Sequence, residues 1–370
     1  MIRTIKQVRF WSWEKMKLDF LWSDSMGAKS ASTWVETEDT SVLIDPGAAE
    51  MQPSFPMSDE KKSDLRGEAR STINGKGVVS DHMVITHYHY DHHFLPDFAG
   101  FDFEKMFSDS EIWVKDPNKW INKSQWGRSR KFIKSLCETV GGEDFEDLKI
   151  SPEDDSFKDP VSDLTHAMGK DFGDYQDRRE ELLEKWSKRM DSWQELWKGN
   201  DWLKEPELST SVTYADGKSF EDGDTKVKFS KPLFHGIEYS KTGWVLSTVI
   251  EDPTGKTFLH SSDLQGPTIE DQADWIISED PDYLFLDGPA TYLYGYLLNK
   301  TNLERSVENA VRILRECDME MMVYDHHLAR EKKFRERTEK FWNIADESET
   351  EVFTVAESKN QTPKVLEVTG

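Results

Sequence analysis

The segment Thr86-His87-Tyr88-His89-Tyr90-Asp91-His92-His93 constrains this chain more than any other. It places four histidines and an aspartate within residues 87–93, directly after the apolar run Met83-Val84-Ile85, which reads as the end of a buried strand. Two His one residue apart, then Asp-His two residues on, offer ligands to two adjacent metal ions. Imidazole nitrogen and carboxylate oxygen suit zinc, and also iron or manganese. A hydrogen-bonded histidine cluster or an exposed polar loop is the plainer alternative. It fits poorly here, because crowded polar groups at a buried strand end each need a partner.

At 370 residues the chain is long enough for one large or two ordinary domains, and its 14 Trp and 12% aromatic content allow a sizeable core. Net charge is −24, which repels polyanions and argues against a general nucleic-acid or anionic-membrane binder. The two cysteines, Cys137 and Cys317, imply no disulfide framework. Met1–Met26 alternates charged and aromatic residues without the apolar stretch of a signal peptide, and no run of apolar residues is long enough to span a membrane. A cytoplasmic protein is expected.

Strands are expected at 32–37 and 41–45 around a hairpin-like turn, at 78–85, 111–114, 212–214, 219–220, 226–229, 244–250, 257–260, 283–286 and 320–324. Residues 51–78 read as a loop with a short helix, 124–140 and 302–317 as helices, and 141–175 as a long acidic loop. From 176 to 204 the stripe Leu182, Trp186, Met190, Trp193, Trp197 predicts one amphipathic helix, docking that stripe on the body or overhanging a site as a lid. No internal repeat, Gly-x-Ser-x-Gly elbow, P-loop or GxGxxG is present.

The pattern His-x-His-x-Asp-His resembles the signature of the metallo-β-lactamase superfamily. Together with Val35-Glu36-Thr37, Leu43-Ile44-Asp45-Pro46-Gly47, Asn122-Lys123-Ser124-Gln125, Tyr214-Ala215-Asp216-Gly217, Phe234-His235-Gly236, Ser262-Asp263-Leu264-Gln265-Gly266-Pro267, Gly288-Pro289-Ala290-Thr291-Tyr292-Leu293 and Asp325-His326-His327-Leu328, it resembles an archaeal family of metal-dependent hydrolases within that superfamily. The similarity covers most of residues 26–330. The resemblance implies an α/β fold, an αββα sandwich of two packed mixed β-sheets with helices on the outer faces. It makes residues 1–370 a single domain, with 145–208 a Trp-rich, mainly helical insertion and candidate lid.

It also implies two divalent ions, zinc first, with iron or manganese as alternatives. One goes to His87, His89 and His235. The other goes to Asp91, His92 and either His326 or His327, with His326 favoured as the first residue past Asp325, and with Asp263 bridging. The distant candidates, His235, Asp263 and Asp325-His326-His327, each follow an expected strand. Two such ions, roughly 3.5–4 Å apart, would share a bridging hydroxide. Asp91 and Asp263 are the catalytic candidates, Asp91 as a proton acceptor. His93 and His260 read as supporting or packing groups, and His82 and His166 as incidental. Asn122, Lys123, Gln125, Arg128 and Lys241 are candidates for substrate contact, with a solvated helix start as the plainer reading. The expected function is hydrolysis of a small ester, lactone, amide or phosphoester, with β-lactams as a side activity. The alternatives are a nuclease or phosphodiesterase acting on nucleic acid, and a diiron redox or metal-binding protein. Oligomeric state is not legible.

Overall fold

The computed structural model describes residues 16–153 and 156–367, so the first part of the segment read as lacking a leader lies outside the described residues. The first sheet contains Lys17–Ser23 (β1), Ala31–Glu36 (β2), Ser41–Ile44 (β3), His82–Ile85 (β4), Glu111–Val114 (β5) and Val212–Tyr214 (β6), side by side in that order. β1 to β3 pair antiparallel, and β3 to β6 pair parallel. The second sheet contains Ser219–Asp222 (β7), Thr225–Phe229 (β8), Thr248–Glu251 (β9), Thr257–His260 (β10), Tyr283–Asp287 (β11), Met321–Asp325 (β12) and Glu351–Phe353 (β13), again in chain order. Here β7 to β10 are antiparallel and β10 to β13 parallel.

Parallel neighbours require crossovers, and helices supply them. Asp59–Gly77 (α1) joins β3 to β4, and Lys123–Val140 (α2) and Gln176–Lys198 (α3) lie between β5 and β6. Glu270–Glu279 (α4), Lys300–Glu316 (α5) and Glu339–Glu347 (α6) make the crossovers from β10 through to β13. The sheets face each other through Phe20 against Phe258 and Phe285, with ring centroids 6.3 and 6.1 Å apart, and through Trp113 against Phe229 at 6.0 Å. Leu65, Ala69 and Ile73 of α1 and Phe132, Ile133 and Leu136 of α2 are buried with the first sheet. Leu259, Leu284, Leu286 and Met322 pack outward against Ile276 of α4, Val307 and Val311 of α5 and Phe341 of α6. Each such side chain contributes about 1.5–3 kcal/mol on burial. The layers run helix, sheet, sheet, helix, as expected.

Three local expectations change. Residues 59–77 form one long helix, capped by Ser58, whose side chain accepts from Lys61 N at 3.3 Å. Its inward stripe, Leu65, Ala69 and Ile73, is a single residue wide, so the polar surroundings hid it. The expected strand 244–250 is split. Trp244–Val245 pairs with Leu233–Phe234 in a two-stranded ribbon, and only Thr248–Glu251 enters the second sheet. Between them Leu246 N donates to Thr86 O and Ser247 N to Ser230 Oγ, which redirects the chain. In α3 it is Leu183, rather than Leu182, that is buried with Met190, Trp193 and Trp197.

The α3 stripe docks on that ribbon. Trp193 and Trp197 lie 4.7 and 5.7 Å from Trp244, and Trp197 Nε1 donates to Ile121 O. A buried ionic tie reinforces the contact: Arg305 of α5 bridges Glu238 and Glu270, Arg179 of α3 reaches Glu238, and Lys170 reaches Glu270. Replacing Arg305 by Leu leaves each of two buried carboxylates with a single cation, Glu238 with Arg179 and Glu270 with Lys170, and is expected to cost about 3 kcal/mol in denaturant unfolding. Burial opposes the charge on Glu270, but Arg305 and Lys170 hold its carboxyl down at about 2. The folded value lies below the unfolded one of about 4.5. This stabilisation is therefore complete above about pH 4.5 and lost as pH falls toward 2. Glu270→Gln should lower the melting temperature at pH 7 and converge on wild type near pH 2; a gap that ignores pH would refute the assignment.

Candidate metal centre

The chemistry-bearing residues lie at or just past the C-terminal ends of strands. Asp24 follows β1, Asp45 follows β3, the 86–93 segment follows β4, His235 follows the ribbon strand Leu233–Phe234 and Asp263 lies just past β10. Asp287 ends β11 and Asp325 ends β12, with His326 and His327 next. Several of these positions turn sharply. Asp45, Ser262, Gln265 and His326 have φ of 51°, 54°, 54° and 57°, the left-handed region that costs a non-glycine residue about 1–2 kcal/mol. Gly47 is needed for another reason: a Cβ there would lie 2.4–2.5 Å from backbone atoms of His92 and His93.

At the centre is the buried carboxylate of Asp263. Its Oδ2 lies 3.0 Å from His235 Nε2 and 3.4 Å from His87 Nε2, and His87 Nε2 lies 3.0 Å from His89 Nδ1. Its Oδ1 lies 3.1 Å from His92 Nε2 and 3.2 Å from His326 Nε2. Ligand atoms of His87, His89, His235 and Asp263 fall within 4.8 Å of one another, as do those of Asp91, His92 and His326 and those of Asp263, His326 and His327. The Nε2 atoms of His92 and His326 and Asp263 Oδ1 are buried without a hydrogen-bond partner. Buried orphans of this kind are rare, and converging ones fit a cation.

The far nitrogens of the imidazoles are held in place. His92 Nδ1 meets Asp45 Oδ2 at 2.8 Å, His326 Nδ1 meets Asp24 Oδ1 at 3.2 Å and Ser30 O at 3.0 Å, and His327 Nδ1 meets Asp287 Oδ1 at 3.0 Å. Thr86 ties the two sheets at this point, donating its N–H to Asp45 and sharing a 2.7 Å hydroxyl contact with Ser262. The charges follow from these contacts. Burial works against the charge on His92, yet Asp263 and Asp45 raise it to about 10. Burial and the His92 charge lower His87 to about 4. Against burial, His92, His326, His87 and His235 keep Asp263 ionised. Asp287 is pushed up to about 7, mainly by burial.

All eight residues expected as ligands therefore come together. His326 joins the Asp91–His92 group, whereas His327 is grouped with Asp263 and His326 and held by Asp287. His93 and His260 stay outside these groups. His93 Nδ1 meets His89 O at 2.9 Å, and His260 stacks on Phe285 and meets Ala31 O at 2.8 Å. His82 and His166 lie elsewhere, contacting Asp222 and Asp274. Of the residues expected to touch substrate, Asn122 and Gln125 direct their side-chain amides to Lys241 O and Thr242 O, bracing the loop beyond His235. Lys123 and Lys241 are exposed, and the Arg128 guanidinium covers the Tyr90 ring. Asp24, Asp45, Asp287 and Arg330 went unread in the sequence as site residues; for the three aspartates the signal was the same strand-end placement that marked Asp263.

No family model matches the chain. It is 30% identical over 353 residues to a UPF0282 protein of Korarchaeum cryptofilum, covering 95% of this chain and 92% of that protein. The chain belongs to the UPF0282 family. A second UPF0282 protein, from Methanocaldococcus jannaschii, is 31% identical over 329 residues, covering 87% of each. Among solved structures, CmlA, a diiron β-hydroxylase from Streptomyces venezuelae, aligns over 92% of this UPF0282 protein and 52% of its own chain, at 11% identity and TM-score 0.42. A metallo-β-lactamase of Cronobacter sakazakii aligns over 94% and 88%, at 12% identity and TM-score 0.29. Likeness this distant carries no argument about what UPF0282 proteins do.

The UPF0282 site is anchored from below by Asp325. Its buried carboxylate accepts from the backbone N–H of Ser25 at 3.1 Å, His326 at 2.7 Å and Val355 at 2.7 Å, and from the Ser25 hydroxyl. Asp325→Ala strands these donors and is expected to cost about 3–5 kcal/mol in denaturant unfolding. A loss below about 1 kcal/mol would show that the anchor is dispensable.

Proposed function

We propose that this protein is a dinuclear metal-dependent hydrolase acting on a small ester, lactone, amide or phosphoester. The observation that carries this reading is the Asp263 carboxylate, whose two oxygens face two different histidine pairs with unpartnered nitrogens at hand. His87, His89 and His235 would hold one ion, Asp91, His92 and His326 the other, with Asp263 between them. When bound, such a pair supplies Lewis-acid activation of water and of a substrate oxygen.

The chain's own groups fill the remaining roles. Asp91 has a side chain 15% exposed, against 1% for Asp263, so it stands at the open side and is suited to take a proton. His327, oriented by Asp287 and kept neutral by burial, faces the same centre without entering the Asp91–His92 group. Asp45 and Asp24 fix the ring orientations of His92 and His326. A small substrate is favoured over nucleic acid. The net charge is −24, and the basic stretch at 128–130 is engaged locally, Arg130 with Pro117 O and Asp201 O and Arg128 on Tyr90. The packing of Trp193 on Trp244, in the ribbon that carries His235, supports reading α3 as a wall or lid over the centre.

Metal analysis after reconstitution should give about two ions per chain by the ligand count, and Asp263→Ala should lose them; a chain that takes up none would end the proposal. Asp45→Asn, which removes the partner that orients His92, should weaken metal binding about 10- to 100-fold in a chelator competition while the fold is retained. A panel of phosphodiester, lactone, thioester, β-lactam and RNA substrates on metal-loaded protein then assigns the substrate class. Turnover of RNA alone would replace the small-molecule reading by the nuclease one.

A further inference from the structure

Arg330 stands beside the open, Asp91 side of the centre, and Lys29 lies one residue before Ser30, whose backbone oxygen meets His326 Nδ1. Arg330 closes the short turn His326–Arg330 and its side chain is only 5% exposed. Its Nε pairs with Asp24 and its Nη1 donates to Tyr292 Oη at 3.2 Å. Its Nη2 is buried with no hydrogen-bond partner and lies 3.7 Å from Asp91 Oδ2, beyond hydrogen-bond range. A buried guanidinium N–H is costly unless something accepts from it. The second cation is Lys29, half-buried, with its main chain paired to Ala49 in both directions at 2.9 Å. Lys29 Nζ makes no ion pair within 4 Å among the described residues. Arg330, Asp91, Asp24 and Glu50 are the charges that act on it, and burial together with Arg330 lowers its pKa.

The setting makes these two groups unusual. The protein carries −24, so its surface repels anions, and most of its cations are matched to carboxylates. Here a planar donor lies 3.7 Å from Asp91 at the partly exposed edge of the centre, where His89 and Asp91 are less covered than His87, His92 and Asp263, and the Lys29 charge acts on the same carboxylate. Guanidinium recognises the paired oxygens of a carboxylate or phosphate, and an adjacent ammonium adds a point charge.

We infer that Arg330 Nη2 and Lys29 Nζ form a subsite for an anionic oxygen group of the substrate, a carboxylate or a phosphate, beside Asp91. This rests on the hydrolase reading above and narrows it: the small substrate carries a negative group next to the bond that is cleaved. Arg330 thus has two tasks, holding Asp24 through Nε and presenting Nη2 to the ligand, whereas Lys29 has only the second.

The test is calorimetric titration of metal-loaded protein with inorganic phosphate and, separately, with acetate. Lys29→Met and Arg330→Lys should each weaken binding of the preferred anion about tenfold, with metal content unchanged. Arg330→Lys keeps the charge that pairs with Asp24, so the centre retains its support, and Lys29→Met leaves that support untouched. Wild-type affinity for both anions in either variant overturns the subsite, because anions held by the metals alone would be indifferent to these residues. So does a wild type that binds neither anion. A chain that takes up no metal yet binds phosphate through Lys29 and Arg330 sinks the hydrolase reading and leaves the anion site standing. The ratio of the two affinities decides between phosphate and carboxylate.

Discussion

A carboxylate buried among imidazoles is the constraint on which the rest of this structure depends. Asp263 and the histidines around it cannot sit in a protein interior at low cost unless every nitrogen and oxygen has a partner or a cation. The fold answers with a shell of further carboxylates. Asp45 holds His92, Asp24 holds His326, Asp287 holds His327, and Asp325 fixes the backbone at Ser25, His326 and Val355 from beneath. These acids lie on both sheets, so the electrostatic demands of one centre join the two halves of the sandwich.

The sheets deliver these groups because of how they are wired. β10, β11 and β12 run parallel and adjacent, so the residues at and just past their ends, Asp263, Asp287 and Asp325 to His327, line up along one edge. β3 and β4 do the same opposite them for Asp45 and the 86–93 segment. His235 belongs to neither sheet. It arrives on the two-stranded ribbon formed with Trp244–Val245, and the bend at Leu246-Ser247 ties that ribbon to Thr86. Left-handed conformations at Asp45, Ser262, Gln265 and His326 are the local strain that turns the chain inward at this level.

Outside the centre, charge is matched rather than absent. Arg305 between Glu238 and Glu270, with Arg179 and Lys170 beside them, locks α3 and the segment before it onto α4 and α5. The tryptophans of α3 supply the apolar half of the same contact. Arg330 departs from this pattern in part: its Nε pairs with Asp24, while its Nη2 lies 3.7 Å from Asp91 without a hydrogen-bond partner, and Lys29 makes no ion pair among the described residues.

The strand ends and the ligand types were legible in the sequence, because period-two apolar runs and metal-binding side chains are local signals. Thus His87 to His93, His235, Asp263 and the 326–327 pair could be named in advance. The same locality explains what could not be read. The stretch 59–77 reads as no more than a short helix, because the buried stripe of the full-length one is a single residue wide. Nothing in 244–250 says that it leaves one sheet for another. Asp24 and Asp45 look like ordinary turn residues until the imidazoles they orient arrive from 302 and 47 positions away. The side chains of Asn122 and Gln125 look free until the 241–242 loop folds over them. Sequence determined which groups had to be gathered. Only the tertiary structure decided which of His326 and His327 meets Asp91 and His92, which carboxylate orients which ring and which cations are left over, because those outcomes depend on backbone direction at strand ends and on contacts between residues hundreds of positions apart.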